Sequence, residues 1–149
     1  MKNMNKIVIG ILILTAAVMG YFYFRHPLGA KVVIDGHTIN VEVSVTEAEK
    51  EKGLGYLKSL PADSGMLFVY ETKDRYGYWM KGMEFPLDYI WILDNTVVDL
   101  SPNIPAPATP NEKPVSLAPK TAVNKVLEVN AGTIARDGIK IGDTVKFTN

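Results

Sequence analysis

Hydrophobic and polar positions alternate through much of the chain beyond residue 30. In "KVVIDGHTINVEVSV", Ile39, Val41, Val43 and Val45 alternate with Asn40, Glu42 and Ser44, the period of a strand with one buried face. Asp35-Gly36 ahead of them is a two-residue hairpin signal. At "TEAE" the period changes: Thr46 and Glu49 make a capping-box pattern that predicts a helix, and Gly53 and Gly55 predict its early stop. "GMLFVY", "YGYWMK", "LDYIWIL" and "TVVDL" predict further strands, the last two joined by a turn at Asp94-Asn95. Segment 101–120 holds Pro102, Pro105, Pro107, Pro110, Pro114 and Pro119, which exclude helix and central strand and predict a long extended loop along the surface. "NKVLEVNAG" resumes the strand pattern, "TIARDG" predicts one helical turn closed by Gly138, and "IGDTVKF" predicts a last strand after a turn at Gly142-Asp143. Many short strands with few helical residues predict an all-β fold, a small sandwich or partly closed barrel with one or two short helices.

The first thirty residues follow a different pattern. Lys2 and Lys6 precede an uncharged apolar run over residues 7–24. As a helix that run would span roughly 27 Å, close to the ~30 Å hydrocarbon core of a bilayer. Tyr21, Phe22, Tyr23 and Phe24 suit the far interface, and Arg25, His26 and Pro27 end the helix. The run is longer than a signal-peptide core of about 7–15 residues, which favours an anchor over a cleaved signal. The lysines mark the cytoplasmic end, so the expectation is a single-pass protein of the cell membrane. Residues 1–30 would be the anchor and linker, and residues 31–149 an extracytoplasmic β domain.

Composition narrows the function classes. The chain has 149 residues, of which 47% are hydrophobic and 21% charged, with sixteen Lys and Arg against sixteen Asp and Glu. The balance argues against nucleic acid as a partner, because binding it needs an excess of cations to displace counterions. Cysteine is absent, which excludes disulfides, thiolate metal sites and cysteine nucleophiles. A serine nucleophile lacks its partners: there is no G-x-S-x-G motif, and His26 and His37 are the only histidines. Met66, Met80 and Met83 with His37 and Trp79 would suit copper(I), but methionines more often fill irregular gaps in cores. No cofactor or metal is expected.

"YWMKGMEFPLDYIWIL" is the most apolar stretch beyond the N-terminal segment, yet it carries Lys81 and Asp88. If "YGYWMK" and "LDYIWIL" pair as a hairpin across "GMEFP", Trp79, Lys81, Leu87, Tyr89, Trp91 and Leu93 share one face. Tyr78, Met80, Asp88, Ile90 and Ile92 then share the other. In a structural role Asp88 accepts hydrogen bonds from amides of the "KGMEFP" loop, and Lys81 lays its stem along Trp79. In a functional role the same groups stand at the mouth of a pocket, with Trp79 and Tyr89 as a platform and Lys81 and Asp88 as polar contacts. The candidate binding or motif residues are therefore Trp79, Met80, Lys81, Pro86, Leu87, Asp88 and Tyr89.

"GMLFVY", "YWMKGMEFPLDYIWI", "VLEVNAG" and "GIKIGDTV" occur in an order and spacing that resemble domain-of-unknown-function family 192, over about residues 43–145. The most specific part is Trp79-Met80-Lys81 followed by Pro86-Leu87-Asp88. The resemblance implies a mainly β domain, often exported or anchored, and implies no activity. The glycines of "VLEVNAG" and "GIKIGDTV" read as turn formers. The expected role is a binding or assembly module of the cell envelope, with a small molecule, glycan or protein as its partner. The alternative is a hydrolase or other enzyme acting on an envelope substrate, with Asp88 as its acid or base.

Overall fold

The Asp35-Gly36 signal is realised: both residues take positive φ, 48° and 84°, as a tight hairpin turn between right-twisting strands requires. The turn joins β1 (Lys31–Ile34) to β2 (His37–Ser44). The structure is a computed structural model, described here over residues 29–148. The apolar run 7–24, expected to cross a membrane, lies outside the described residues. Among the described residues no helix is long and apolar enough to cross a membrane.

After β2 the Thr46–Glu49 capping box forms as predicted and starts α1 (Glu47–Lys52), which Gly53 ends at φ 52°. The chain then returns as β3 (Ser64–Asp74), parallel to β2. The remaining elements are β4 (Tyr78–Trp79), β5 (Leu87–Leu93), β6 (Thr96–Ile104), β7 (Ser116–Leu117), β8 (Val123–Asn130), α2 (Thr133–Arg136) and β9 (Val145–Thr148). Seven strands form one sheet in the order β6-β5-β8-β3-β2-β1-β9, and β4 and β7 form a separate two-stranded ribbon.

The seven-stranded sheet curls into a half-barrel. Its edge strands β6 and β9 approach each other at a bridge between Thr96 and Thr144, supported by Val97 N–H to Asp143 O (3.0 Å) and Val145 N–H to Asn95 O (2.8 Å). Closure of this kind covers edges that would otherwise pair with other chains. One face of the sheet encloses a core of Val32, Ile34, Ile39, Val41, Leu67, Ile90, Ile92, Leu127 and Val145, capped by Ile134 of α2. The other face carries a second core of Met66, Phe68, Leu87, Tyr89, Trp91 and Val126, covered by Leu54, Met80 and Met83 from the connecting segments. The central strands are thus buried on both faces, which explains the nearly continuous apolar run of β5.

Two expectations are corrected. "YGYWMK" and "LDYIWIL" do not pair with each other. Tyr78 and Trp79 pair with Leu117 and Ser116 of β7, whereas β5 lies between β6 and β8. The faces of β5 alternate as predicted, but those of residues 78–80 are exchanged. Tyr78 and Met80 join Tyr89 in the second core, while Trp79 is half exposed. A three-residue stretch such as Tyr78–Met80 carries too little periodicity to set its own face.

The segment 101–120 is also more ordered than a surface loop. β6 continues through Pro102 to Ile104, which its place at the sheet edge permits because a missing N–H there faces outward. The segment returns as β7, and Ala106 and Leu117 pack on the second core. Only residues 108–113 are exposed without a break.

Candidate functional site

Asp88 is fully buried on the barrel side of β5, opposite its neighbours Leu87 and Tyr89. Its Oδ1 accepts the Asn103 amide at 2.7 Å and its Oδ2 accepts the Ile134 amide at 2.8 Å. Asp88 is a structural acceptor as expected, but for different amides from those of the "KGMEFP" loop. It fastens the end of β6 and the first turn of α2 to the central strand. Pro86 contributes beside it, its carbonyl accepting the Ala131 amide at 3.2 Å. Asp99 plays a matching part at the other end of the proline-rich segment, accepting the Leu100 amide at 3.0 Å and the Lys120 amide at 2.9 Å. Burial pushes the Asp99 carboxyl up, but these amides and the Lys120 ammonium outweigh it and hold the group below its ordinary value.

Trp79 and Lys81 lie elsewhere, on the rim of an open cleft of about 1210 Å³ against the second core. Trp79 is 51% exposed, and the Lys81 ammonium stands 5.1 Å from its ring centre. α1 and the Gly53–Gly55 turn form one wall, β3 and the residues before β4 the other. Tyr70 and Tyr76 stack at 3.5 Å with an 11° angle between their planes. The Tyr70 and Tyr78 hydroxyls are 2.8 Å apart. The Lys50 ammonium sits 4.3 Å from the Tyr70 ring centre and pairs with Glu47 at 3.0 Å. A smaller hollow of about 310 Å³ between Tyr56, Trp79 and Lys81 continues the same surface.

Glu128 stands at the floor of this cleft. It is 4% exposed and lies directly across from Met66 of β3 and Tyr89 of β5. Burial pushes its carboxyl up to about 8, a shift that the Tyr89 hydroxyl only partly offsets. The single proton of that hydroxyl is directed at Met80 Sδ, 3.3 Å away. Burial likewise raises Tyr70, and it raises Tyr78 and Tyr89 well above the ordinary tyrosine range. Near neutral pH the floor is therefore a neutral carboxylic acid among neutral phenols, with three lysines and three further acids on the walls.

The candidate residues thus divide. The structure brings Trp79 and Lys81 together at the cleft. It buries Met80, Leu87 and Tyr89 beneath it, places Pro86 at the β5 entrance and puts Asp88 on the opposite face. Tyr89 makes no platform with Trp79, because it is covered by Tyr78 at 5.6 Å and stacked on Trp91 at 5.7 Å. Met66, Met80 and Met83 pack in the second core, while His37 faces Asp137 at 3.7 Å. Among the described residues no group of three or more His, Asp or Glu is arranged to hold a metal ion.

Sequence reasoning missed Glu128. The available signal was an acid inside the apolar run "VLEV", on a strand whose neighbours on both sides are buried. Tyr70, Tyr76 and Tyr78 were unremarkable in isolation; the fold makes them a wall.

The family model for DUF192, described as Uncharacterized ACR, matches residues 30–147. The chain belongs to domain-of-unknown-function family 192. No curated protein matches it. Solved structures similar to this DUF192 chain include a proposed transcription regulator from Sinorhizobium meliloti 1021. That protein is 30% identical with a TM-score of 0.68, over 79% of this chain and 91% of that one. A protein of unknown function from Novosphingobium aromaticivorans DSM 12444 is 32% identical with a TM-score of 0.69, over 81% of this chain and 89% of that one. The DUF192 motif "WMK…PLD" therefore spans two separate roles in this fold. Trp79 and Lys81 rim the cleft, and Asp88 ties three elements together.

Proposed function

We propose that this DUF192 domain is a binding module, tethered outside the cytoplasmic membrane by residues 7–24, whose ligand is a small hydroxylated molecule of the saccharide type. The observation that carries the reading is the cleft: half-exposed Trp79 and the stacked Tyr70–Tyr76 pair beside a buried, polar floor. Flat aromatic faces receive the apolar faces of sugar rings, and a few convergent polar groups supply orientation. Catalysis through Asp88 has less support, because amides occupy both of its oxygens and it faces away from the cleft. Binding to nucleic acid has less support as well, given sixteen charges of each sign. The membrane tether rests on the sequence alone, through Lys2, Lys6 and the uncharged run that follows.

The test is a titration of the full chain in detergent with neutral mono- and oligosaccharides, followed by tryptophan fluorescence and by saturation-transfer NMR. Trp91 is buried, so a saturable change that disappears in Trp79→Phe locates the ligand at the cleft. No response from any saccharide in the series would overturn the reading.

A further inference from the structure

We propose that Glu128 meets the ligand as a neutral carboxylic acid, donating a hydrogen bond to a carbonyl or ether oxygen, so that the cleft selects uncharged, acceptor-bearing saccharides and releases them in alkali. The inference rests on the cleft being the ligand site. It adds which atom of the ligand is recognised and how binding is regulated.

Three observations lead to it. Glu128 is among the most buried polar residues of the chain and yet lines the cleft. Gly53 borders it: a Cβ at that position would lie in ordinary van der Waals contact, 4.0 Å from Glu128 Oε2. Among the described residues no backbone amide is directed at the carboxyl, unlike those of Asp88 and Asp99, and its hydrogen-bonding partner is the Tyr89 hydroxyl. Tyr89 donates its one proton to the Met80 thioether, which is a weak acceptor. That proton can turn to one carboxyl oxygen of Glu128 while the Glu128 O–H points into the cleft.

Charge selects against ions. With Glu128 neutral, Glu47, Glu51 and Glu71 on the walls balance Lys50, Lys52 and Lys81. The titratable groups packed around Glu128 are Tyr89 of β5, Tyr78 of β4 and Tyr70 of β3, with Lys50 and Lys52 of α1 on the facing wall. Burial keeps Tyr78 and Tyr89 protonated through the alkaline range and raises Tyr70, and the Glu128 proton is held to about pH 8. Above that pH the floor changes from donor to anion, and an acceptor oxygen on the ligand would face a charge of its own sign.

The experiment uses the full chain in detergent at pH 6, 7 and 9, with triacetylchitotriose as the uncharged probe and choline as a permanent cation. The expected result is a loss of about tenfold in affinity for the saccharide between pH 7 and pH 9, the deprotonation of one group near pH 8. Glu128→Gln keeps a donor of the same shape, so it should bind the saccharide with an affinity that no longer changes over this range. Glu128→Ala should bind weakly at every pH. Near-UV circular dichroism checks that each variant is folded, and if Glu128→Ala is not, the wild-type and Glu128→Gln profiles decide. Saccharide binding that is independent of pH in the wild type, or still pH-dependent in Glu128→Gln, would overturn the donor role and leave the cleft assignment intact. Choline binding at pH 6 or 7 as tight as that of the saccharide would overturn the selectivity for uncharged ligands, and choline binding that does not tighten above pH 8 would overturn the change of the floor to an anion. No saccharide binding at any pH would overturn the cleft reading and this one together.

Discussion

Truncating Asp88 to alanine removes two hydrogen bonds from a place water does not reach. The Asn103 amide at 2.7 Å and the Ile134 amide at 2.8 Å would both lose their acceptor. Bonds between an ionised acceptor and an amide contribute roughly 1.5–3 kcal/mol each, so the two together contribute about 3–6 kcal/mol. Removing a buried carboxylate also ends the cost of keeping it from water, which returns part of that sum. The expected net loss for Asp88→Ala is about 3–4 kcal/mol. Asp88→Asn retains one carbonyl acceptor but turns an NH2 group toward the other amide, so it should lose about half as much. With a urea m-value of about 1.5 kcal/mol/M for a domain of this size, Asp88→Ala should lower the unfolding midpoint by roughly 2 M. Hydrogen exchange supplies a residue-level check, because protection should fall first at Asn103 and Ile134. A midpoint for Asp88→Ala within experimental error of wild type would refute this account of β5. An Asp88→Asn protein more stable than wild type would return Asp88 to consideration as a functional acid.

Gly65→Ala should cost more than about 2 kcal/mol in the same urea assay, because its Cβ would lie 2.6 Å from the Glu128 carbonyl oxygen, a backbone atom that cannot give way. Deleting exposed residues 108–113 should change stability by under ~1 kcal/mol, since surface loops close with weak length dependence; a larger loss would place that stretch in the packed structure. Glu128 should make stability fall as pH rises, because its folded value of about 8 exceeds its ordinary 4.5 and the folded state keeps a proton the unfolded state releases. The fall should begin near pH 4.5, reach at most about 1.4 kcal/mol per pH unit, level off above pH 8, and be absent in Glu128→Gln when thermal melts are compared. Protease added to intact spheroplasts should digest residues 31–149, and full protection would sink the outward orientation.

The parts legible in the sequence are the local ones. The Asp35-Gly36 turn, the Thr46–Glu49 box, the Asp94-Asn95 turn and the Gly138 stop each depend on a few neighbouring residues, and each forms. What the sequence left open depends on distant partners. The parallel pairing of β2 with β3 joins Asn40 to Ser64 across α1, and a period-two pattern does not name its neighbour. The β4–β7 ribbon joins residues 37–39 positions apart, from Tyr78↔Leu117 and Trp79↔Ser116, and neither strand is long enough to show a period. Pro102 read as a strand breaker because the edge position of β6, where proline is tolerated, appears only once the sheet order is known. The cleft followed the same logic: Trp79 and Lys81 were visible as an oddity, but Tyr70, Tyr76 and Glu128 join them only through the fold.

Three acids are buried in the strands of this domain, and their surroundings separate structural acids from chemically available ones. Asp88 and Asp99 each accept two backbone amides, and between them they hold both ends of the proline-rich segment, at Asn103 and at Lys120. An ionised group with that many fixed donors is already satisfied, and a ligand would have to displace backbone to reach it. Glu128 has the same burial without the amides, so the protein keeps its proton instead of stabilising its charge. A proton held at the bottom of an open cleft, beside a tyrosine hydroxyl shared between Glu128 and the Met80 sulfur, is available to an incoming acceptor in a way that the Asp88 carboxylate is not. The motif "PLD" therefore marks a tie in the scaffold, and the chemistry of the site falls to the acid in "VLEV", on the strand between β3 and β5.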